Sequence, residues 1–101
     1  MKPYLLHVTY RTRPGQREAF LRRVVHEGIL TAIRAEEGCE RYDYYLSVQD
    51  PDELLLIEQW TTPAHQRAHM TTPHMARLAQ IKAELTESTT LQPMEEAPVQ
   101  A

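Results

Sequence analysis

The chain has one cysteine and no long apolar run. Cys39 has no second cysteine to pair with, so no disulfide can form within the chain, and a reducing compartment is expected. No stretch approaches the roughly 20 apolar residues of a membrane-spanning helix. The apolar start of the chain is interrupted at His7, before the core of a signal peptide could form. These features predict a cytoplasmic protein without a membrane partner.

Basic residues are also too few to give a nucleic-acid-binding surface. The net charge is −3 and the isoelectric point is near 5.9, which excludes nucleic acid as the main expected partner. The charge is unevenly distributed, however. Residues 1–34 carry seven basic and two acidic residues, a balance of +5, and residues 35–101 carry a balance of −8. This basic part is either a solvated helix face or a binding surface for an anionic substrate or an acidic partner.

The 101 residues, 42% of them hydrophobic and 25% charged, are typical of one globular domain. We expect the domain to occupy residues 1–93. Residues 94–101 are expected to form a tail that is either frayed or ordered against a second subunit.

Apolar periodicity predicts the order β-α-β-β-α-β. A period of two predicts strands over 4–11, 40–48 and 54–61, and a short last strand over 86–92. A stripe with helical period from Phe20 to Ile33 predicts one long helix from Gln16, with Gly38 as its C-cap. Thr62-Pro63 and Thr72-Pro73 each predict a helix start, so helices are expected over 63–70 and 73–86.

That order is typical of a ferredoxin-like α+β sandwich, with an antiparallel sheet and its helices on one face. Leu, Tyr and Trp occur on both faces of the second and third strands. The face without helices is therefore expected to be buried by a partner, and two sheets meeting as a symmetric homodimer would bury it.

Several short motifs occur in one order along residues 4–85. They are Val8-Thr9-Tyr10, Arg13-Pro14-Gly15, the segment from Glu37 to Tyr45, Glu58-Gln59-Trp60, Ala68-His69 and Thr72-Pro73-His74. This ordered set resembles the antibiotic biosynthesis monooxygenase (ABM) family, and in particular its quinol-monooxygenase-like members. The resemblance implies a dimeric ferredoxin-like fold of the α/β-barrel type, with a pocket between sheet and helices. It also implies oxidation of a quinol, phenol or polycyclic aromatic by O2 without flavin, haem or metal.

The chain departs from this family at one position. Some members carry an asparagine four residues before the tryptophan, where it helps to activate the substrate or contacts haem; here the residue is Leu56. Haem degradation and that particular polyketide-oxidising arrangement are therefore not expected. Other members of the wider family isomerise small phosphorylated sugars, so the fold alone does not determine the reaction.

The candidate catalytic residues are His69, His74 and Trp60. His69 is the first choice for a general base, because a histidine changes charge near neutral pH and its position matches the family; a helix histidine bonded to a carbonyl or to Glu58 is the structural alternative. His74 is a second base or hydrogen-bonding partner, or a structural cap. Trp60 is either a stacking surface for an aromatic substrate or a core residue.

The candidate substrate-binding residues are Glu58, Tyr42, Tyr44 and His7. Glu58 shares its strand face with Trp60 and is expected to orient a histidine. The tyrosines supply hydroxyl donors for a substrate oxygen, although at least one is expected to serve only sheet packing. His7 is a weaker candidate, on the face opposite Leu6 and Val8.

Other reactive residues are expected to be structural. Cys39 has no neighbouring base, and the acidic pairs Glu36-Glu37 and Asp52-Glu53 lie at predicted turns, where solvation is expected. His65 and His69 are four residues apart on one helix, but two ligands are too few for a metal, and no metal site is expected.

Three functions stay open from the sequence. The first is a homodimeric, cofactor-independent monooxygenase of quinols or related aromatics. The second is an isomerase of a small phosphorylated or carboxylated metabolite, with Arg11, Arg13 and Arg17 holding the anion. The third is a small-molecule-binding module without turnover.

Overall fold

Eight elements follow one another along residues 2–98, the part of the chain that this computed structural model describes. They are β1 (Tyr4–Thr12), α1 (Arg17–His26), α2 (Ile29–Arg34), β2 (Cys39–Leu46), β3 (Glu53–Trp60), α3 (Pro63–His69), α4 (Pro73–Leu85) and β4 (Thr86–Met94). The predicted strands and the two Thr-Pro helix starts are confirmed, with Thr62 and Thr72 as the N-caps. None of the helices described in residues 2–98 has the length and apolar character that crossing a membrane requires.

The four strands form one antiparallel sheet in the order β2-β3-β1-β4. In the central pair, Tyr4 lies opposite Trp60 and Arg11 lies opposite Glu53. This topology is that of the predicted ferredoxin-like α+β fold. The register also separates the two ends of the sheet, with Trp60 at one end and the β2–β3 hairpin at the other.

Alternation along the strands gives the sheet one fully buried face. Leu6, Val8 and Tyr10 of β1 are at most 3% exposed, and so are Leu54, Leu56 and Trp60 of β3. They pack against the buried sides of the helices, which contribute Phe20, Val24, Ile29, Ile33, Leu78 and Ile81. Burying each such side chain stabilises the fold by about 1.5–3 kcal/mol.

The prediction of one long helix from Gln16 to Gly38 is wrong. The chain breaks at Gly28, which has a φ of +77°, and α2 begins at the next residue. A Cβ at Gly28 would meet nothing within 4 Å, so the left-handed backbone and not a close approach explains the glycine. Gly38 caps no helix either, because α2 ends at Arg34 and Gly38 lies in the connection to β2.

The opposite face of the sheet carries Leu5, His7 and Thr9 from β1 and Leu55 and Ile57 from β3, all only half-buried within one chain. At the edge of the fold, β4 reaches Met94, which lies opposite Leu5. Residues 95–98 are exposed and have no regular structure. The rest of the predicted tail, residues 99–101, lies outside the described residues.

A candidate active site around two histidines and a buried glutamate

His69 is the last residue of α3 and one of the most buried polar residues in the chain, with 1% of it exposed. The helix that positions it starts at Pro63, where the Thr62 hydroxyl accepts a hydrogen bond from the backbone N–H of His65. Nδ1 of His69 lies 2.8 Å from Oε2 of Glu36. The predicted structural alternatives, a bond to a carbonyl or to Glu58, are therefore not what the structure contains.

His74 reaches the same carboxylate oxygen from the first turn of α4. Its Nε2 lies 2.8 Å from Glu36 Oε2. It is not the cap of α4, because the Thr72 hydroxyl accepts the hydrogen bond from the backbone N–H of Met75. The same hydroxyl donates to the carbonyl of His69 at 2.9 Å, and this contact fixes the end of α3 against the start of α4.

Glu36 sets the proton positions on both rings. An ionised carboxylate only accepts hydrogen bonds, so each nitrogen that faces it carries a proton. In a neutral His69 ring, Nδ1–H then donates to Glu36 and Nε2 keeps its lone pair. This Nε2 is buried and makes no hydrogen bond to any residue among 2–98. Leaving a buried polar atom unpaired costs about 1–3 kcal/mol, so this nitrogen can accept a hydrogen bond from a water or a ligand.

Aromatic rings surround His69 on the sheet side. The ring centroids of Trp60 and His69 are 4.6 Å apart with the planes tilted by 38°, and Tyr42 meets the His69 ring edge-on at 5.7 Å. Trp60 and Tyr42 are themselves buried. These contacts hold the imidazole in one orientation, which general-base catalysis requires.

Glu58 bonds to Trp60 and not to a histidine. Trp60 Nε1 donates to Glu58 Oε1 at 3.0 Å, and among residues 2–98 no hydrogen bond joins Glu58 to a histidine. Burial raises the pKa of Glu58, while the Trp60 hydrogen bond and the positive charges of His69 and Lys82 act in the opposite direction.

The two predicted hydroxyl donors, Tyr42 and Tyr44, lie on the same face of the sheet. Tyr44 stacks edge-on against Tyr42 at 5.9 Å, and apart from the Tyr42 hydroxyl its buried hydroxyl has no partner among residues 2–98. Burial raises the pKa of Tyr44 and of Tyr42, so both remain neutral donors near pH 7. Tyr45 faces the other way, is exposed, and bonds to Arg41.

Glu36 is the site residue that the sequence interpretation missed. The pair Glu36-Glu37 was expected to be solvated, and this is true only of Glu37, whose side chain is 93% exposed against 13% for Glu36. A signal was present, because Ile29, Ile33 and Glu36 follow the spacing i, i+4, i+7 of one buried helix face. A glutamate that continues the buried apolar face of a helix is expected to be paired with another polar or charged side chain.

Two other histidines are not part of this group. His7 points to the opposite face of the sheet, beside Ile57, so the structure does not bring it to His69. His65 bonds through Nδ1 to the Thr62 hydroxyl at 2.8 Å. Cys39 is half-buried, and burial raises the pKa of its thiol, which disfavours a reactive thiolate.

The set Glu36, His69 and His74 also has the composition of a cation site. Its three donor atoms lie within 4.8 Å of one another, and two imidazole nitrogens with one carboxylate oxygen are ligands that several divalent metals accept. His65, one helical turn before His69, is not part of this group. The hydrogen bonds to Glu36 already account for the positions of all three side chains.

The arginines proposed for anion binding are committed to the fold. Arg11 pairs with Asp50, and Arg13 donates to the carbonyls of Glu84 and Ala83. Arg17 Nη1 donates to the carbonyls of Ser47, Asp50 and Glu53 at 3.0–3.1 Å. These contacts lie at the hairpin end of the sheet, about 20 Å along β1 from Trp60. These three arginines therefore do not form an anion site beside the histidines.

A groove of about 240 Å³ runs along α4 from the histidine end of that helix. Its lining includes Met70, Thr72, Met75, Leu78 and Lys82. Met70 directly follows His69, and Thr72 bonds to the His69 carbonyl. The groove therefore shares Met70 and Thr72 with the segment that follows His69, although its lining does not include the His69 ring.

Fold and site together define a ferredoxin-like α+β domain in which a carboxylate holds two histidines against a buried aromatic cluster. Residues 3–80 match the family model described as "Antibiotic biosynthesis monooxygenase". The chain belongs to this family. The family's asparagine position is taken here by Leu56, which is fully buried in the core.

Named relatives and solved structures agree with this assignment. The chain is 38% identical over 88 residues to the Escherichia coli protein "Probable quinol monooxygenase YgiN", a match that covers 76% of this chain and 83% of that protein. It is 30% identical over 99 residues to Rv0793 of Mycobacterium tuberculosis, covering 94% and 95% of the two chains. The crystal structure of PA3566 from Pseudomonas aeruginosa superimposes with a TM-score of 0.85 at 26% identity, covering 97% of each chain.

Proposed function

We propose that this protein is a cofactor-independent monooxygenase that oxidises a small quinol or related phenol with O2. The proposal rests on the hydrogen bonding of the His69 ring. One ring nitrogen is held by Glu36, and the other is buried and unpaired among residues 2–98. The name of the Escherichia coli relative, a quinol monooxygenase, supports the same substrate class.

In this proposal His69 Nε2 takes the proton of a substrate hydroxyl. The resulting anion is electron-rich enough to react with O2, and the positive charge on His69 is stabilised by Glu36. The Tyr44 hydroxyl is a neutral donor for a second substrate oxygen. For a quinol, one oxygen atom of O2 enters the ring and the other leaves as water, so that quinol and O2 give a hydroxyquinone and one water.

Trp60, Tyr42 and His74 act through His69 in this proposal. The two aromatic rings fix the imidazole and exclude water, and His74 holds Glu36 from the solvent side, since its side chain is 23% exposed. Excluding water strengthens the electrostatic interactions on which the deprotonation step depends.

The proposal includes a homodimer formed through the open sheet face. Leu5, Leu55 and Ile57 are apolar and only half-buried in the single chain, and a second copy of the same face would cover them. A cytoplasmic location remains a prediction, which rests on the single cysteine.

The direct test is aerobic incubation of the purified protein with a panel of one- and two-ring quinols, following oxygen uptake and product mass. We expect O2-dependent formation of products heavier by 14 Da than the quinol, since the reaction adds one oxygen and removes two hydrogens. A rate equal to spontaneous oxidation for every quinol would contradict the proposal, and turnover that persists without oxygen would favour an isomerase.

Chelation separates this mechanism from a metal-dependent one. Protein treated with EDTA and then freed of the chelator is expected to retain its rate. If activity is lost and a divalent metal restores it, Glu36, His69 and His74 must be reassigned as metal ligands.

A further inference from the structure

Lys82 is a half-buried cation without a direct ion pair among residues 2–98. Among residues 2–98 it makes neither a salt bridge nor a side-chain hydrogen bond; its ammonium lies 5.3 Å from the centroid of the Tyr10 ring. Tyr10 is a buried residue of the central strand. The lysine side chain thus turns inward from α4 toward the sheet, instead of extending into solvent as expected of a lysine at the edge of a helix.

Lys82 also forms one wall of the groove along α4. The remaining lining is largely apolar and includes Met70, Met75 and Leu78. Methionine side chains adapt to the faces of aromatic rings and contact them favourably. An apolar groove with a single positive charge on its wall matches a flat aromatic ligand that carries one negative charge.

The cation belongs to the same electrostatic cluster as the candidate base. The Glu58 carboxylate interacts electrostatically with both His69 and Lys82. Its hydrogen bond, however, is with Trp60, so the ammonium of Lys82 keeps its three donors for another acceptor. Burial lowers the pKa of Lys82, because a charge that is partly removed from water is unfavourable when no direct ion pair compensates for it.

We propose that Lys82 is a specificity residue that binds an acidic group, a carboxylate above all, on an aromatic substrate of one or two rings. The inference rests on the proposed function, because it assigns a substrate class to the same site. The groove volume of about 240 Å³ is below the roughly 300–1,000 Å³ typical of pockets for drug-sized ligands. A groove of this volume accommodates one or two aromatic rings.

The test compares two ligands that differ by one carboxylate, 1-hydroxy-2-naphthoate and 1-naphthol, by isothermal titration calorimetry under argon. Wild-type protein is expected to bind the acid about tenfold or more tightly than the naphthol, because a charge-assisted hydrogen bond is added. Lys82→Met should remove this preference with little change for 1-naphthol, and Lys82→Arg should retain most of it. Lys2→Met is the matched control, since Lys2 is the only other lysine and is exposed.

Equal affinities in the wild type, no binding of either ligand, or an acid preference that survives Lys82→Met would each overturn the assignment. Circular dichroism of every variant checks that it is folded. The result is independent of turnover, since oxygen is absent. An acid preference without oxygen uptake in the quinol assay would contradict the proposed reaction alone, and turnover without an acid preference would contradict the role of Lys82 alone.

Discussion

Oε2 of Glu36 lies 2.8 Å from Nδ1 of His69, a residue 33 positions further along the chain. The same oxygen lies 2.8 Å from Nε2 of His74. One carboxylate from the α2–β2 connection therefore orients two histidines from two different helices. The carboxylate also determines which nitrogen of His69 is available to a substrate, as carboxylates do for histidine bases in other enzymes.

The first prediction concerns His69 itself. If its Nε2 is the base, His69→Ala should lower the rate of oxygen uptake by about 10²–10⁴-fold, the usual contribution of a positioned general base. His65→Ala should have a much smaller effect, because the His65 ring contacts Thr62 and Glu37 and not Glu36. Equal losses in the two variants, measured on folded protein with an oxygen electrode, would argue against His69 as the base.

Substitutions at Glu36 and Glu37 distinguish the orientation of His69 by Glu36 from a general effect of removing one negative charge. Glu36→Gln should reduce kcat by about tenfold or more with little change in KM, because the neutral amide no longer stabilises a protonated His69. Glu37→Gln removes the same charge from an exposed side chain one residue away and should leave kcat within about twofold. A similar kcat in both variants would exclude a role for Glu36 in the chemistry.

Stability should depend on pH through Glu58. Burial raises its pKa above the ordinary 4.5, so the folded protein retains the proton where the unfolded chain has lost it. The stabilisation from this group is complete below pH 4.5 and is lost as the pH rises through the raised pKa. The nearby charges of His69 and Lys82 reduce the effect but do not reverse it.

Glu58→Gln tests this dependence, because the amide stays neutral and its oxygen can still accept from Trp60. In urea unfolding, the wild type should lose stability relative to Glu58→Gln as the pH is raised from 4 to 7. Glu87→Gln, at an exposed position of β4, should follow the wild type. Parallel curves for all three proteins would show that Glu58 is not desolvated.

Two glycines with left-handed backbones provide a matched pair. Gly28→Ala should cost about 1–2 kcal/mol, the usual penalty for a side chain in this conformation, since a Cβ there meets nothing within 4 Å. Gly38→Ala carries the same penalty, and its Cβ would in addition lie 2.3–2.6 Å from His65 side-chain atoms.

The second clash has a consequence for the site. Relieving it requires α3 to move, and α3 carries His69. Gly38→Ala should therefore destabilise the fold more than Gly28→Ala in thermal unfolding and also lower oxygen uptake. Equal stability losses would show that the α3 contact at Gly38 is not rigid.

The open sheet face predicts the oligomeric state. Ile57→Lys places an ammonium in the middle of the proposed interface, where desolvating the charge is costly, and should shift the protein to monomers in sedimentation equilibrium. Thr31→Lys on the exposed side of α2 is the control and should sediment as the wild type does. A dimer that survives Ile57→Lys would place the interface elsewhere.

The strands and the helix starts were predictable from the sequence because their causes are local. The pleat of a strand places alternate residues such as Leu54, Leu56 and Trp60 on one face of the sheet. The pair Thr62-Pro63 likewise supplies the N-cap of its own helix. The ferredoxin-like topology follows from the order of these elements. The break at Gly28 was not predicted, because the apolar stripe continues across it and periodicity does not report a left-handed residue.

The site itself was decided by tertiary structure. The sequence points to His69, His74 and Trp60 as separate candidates, but only the fold brings Glu36 between the histidines and places His7 on the other face of the sheet. It likewise turns Lys82 toward Tyr10. Local propensity determines which element a residue joins, whereas contacts between residues 33 or more positions apart depend on how the helices pack on the sheet.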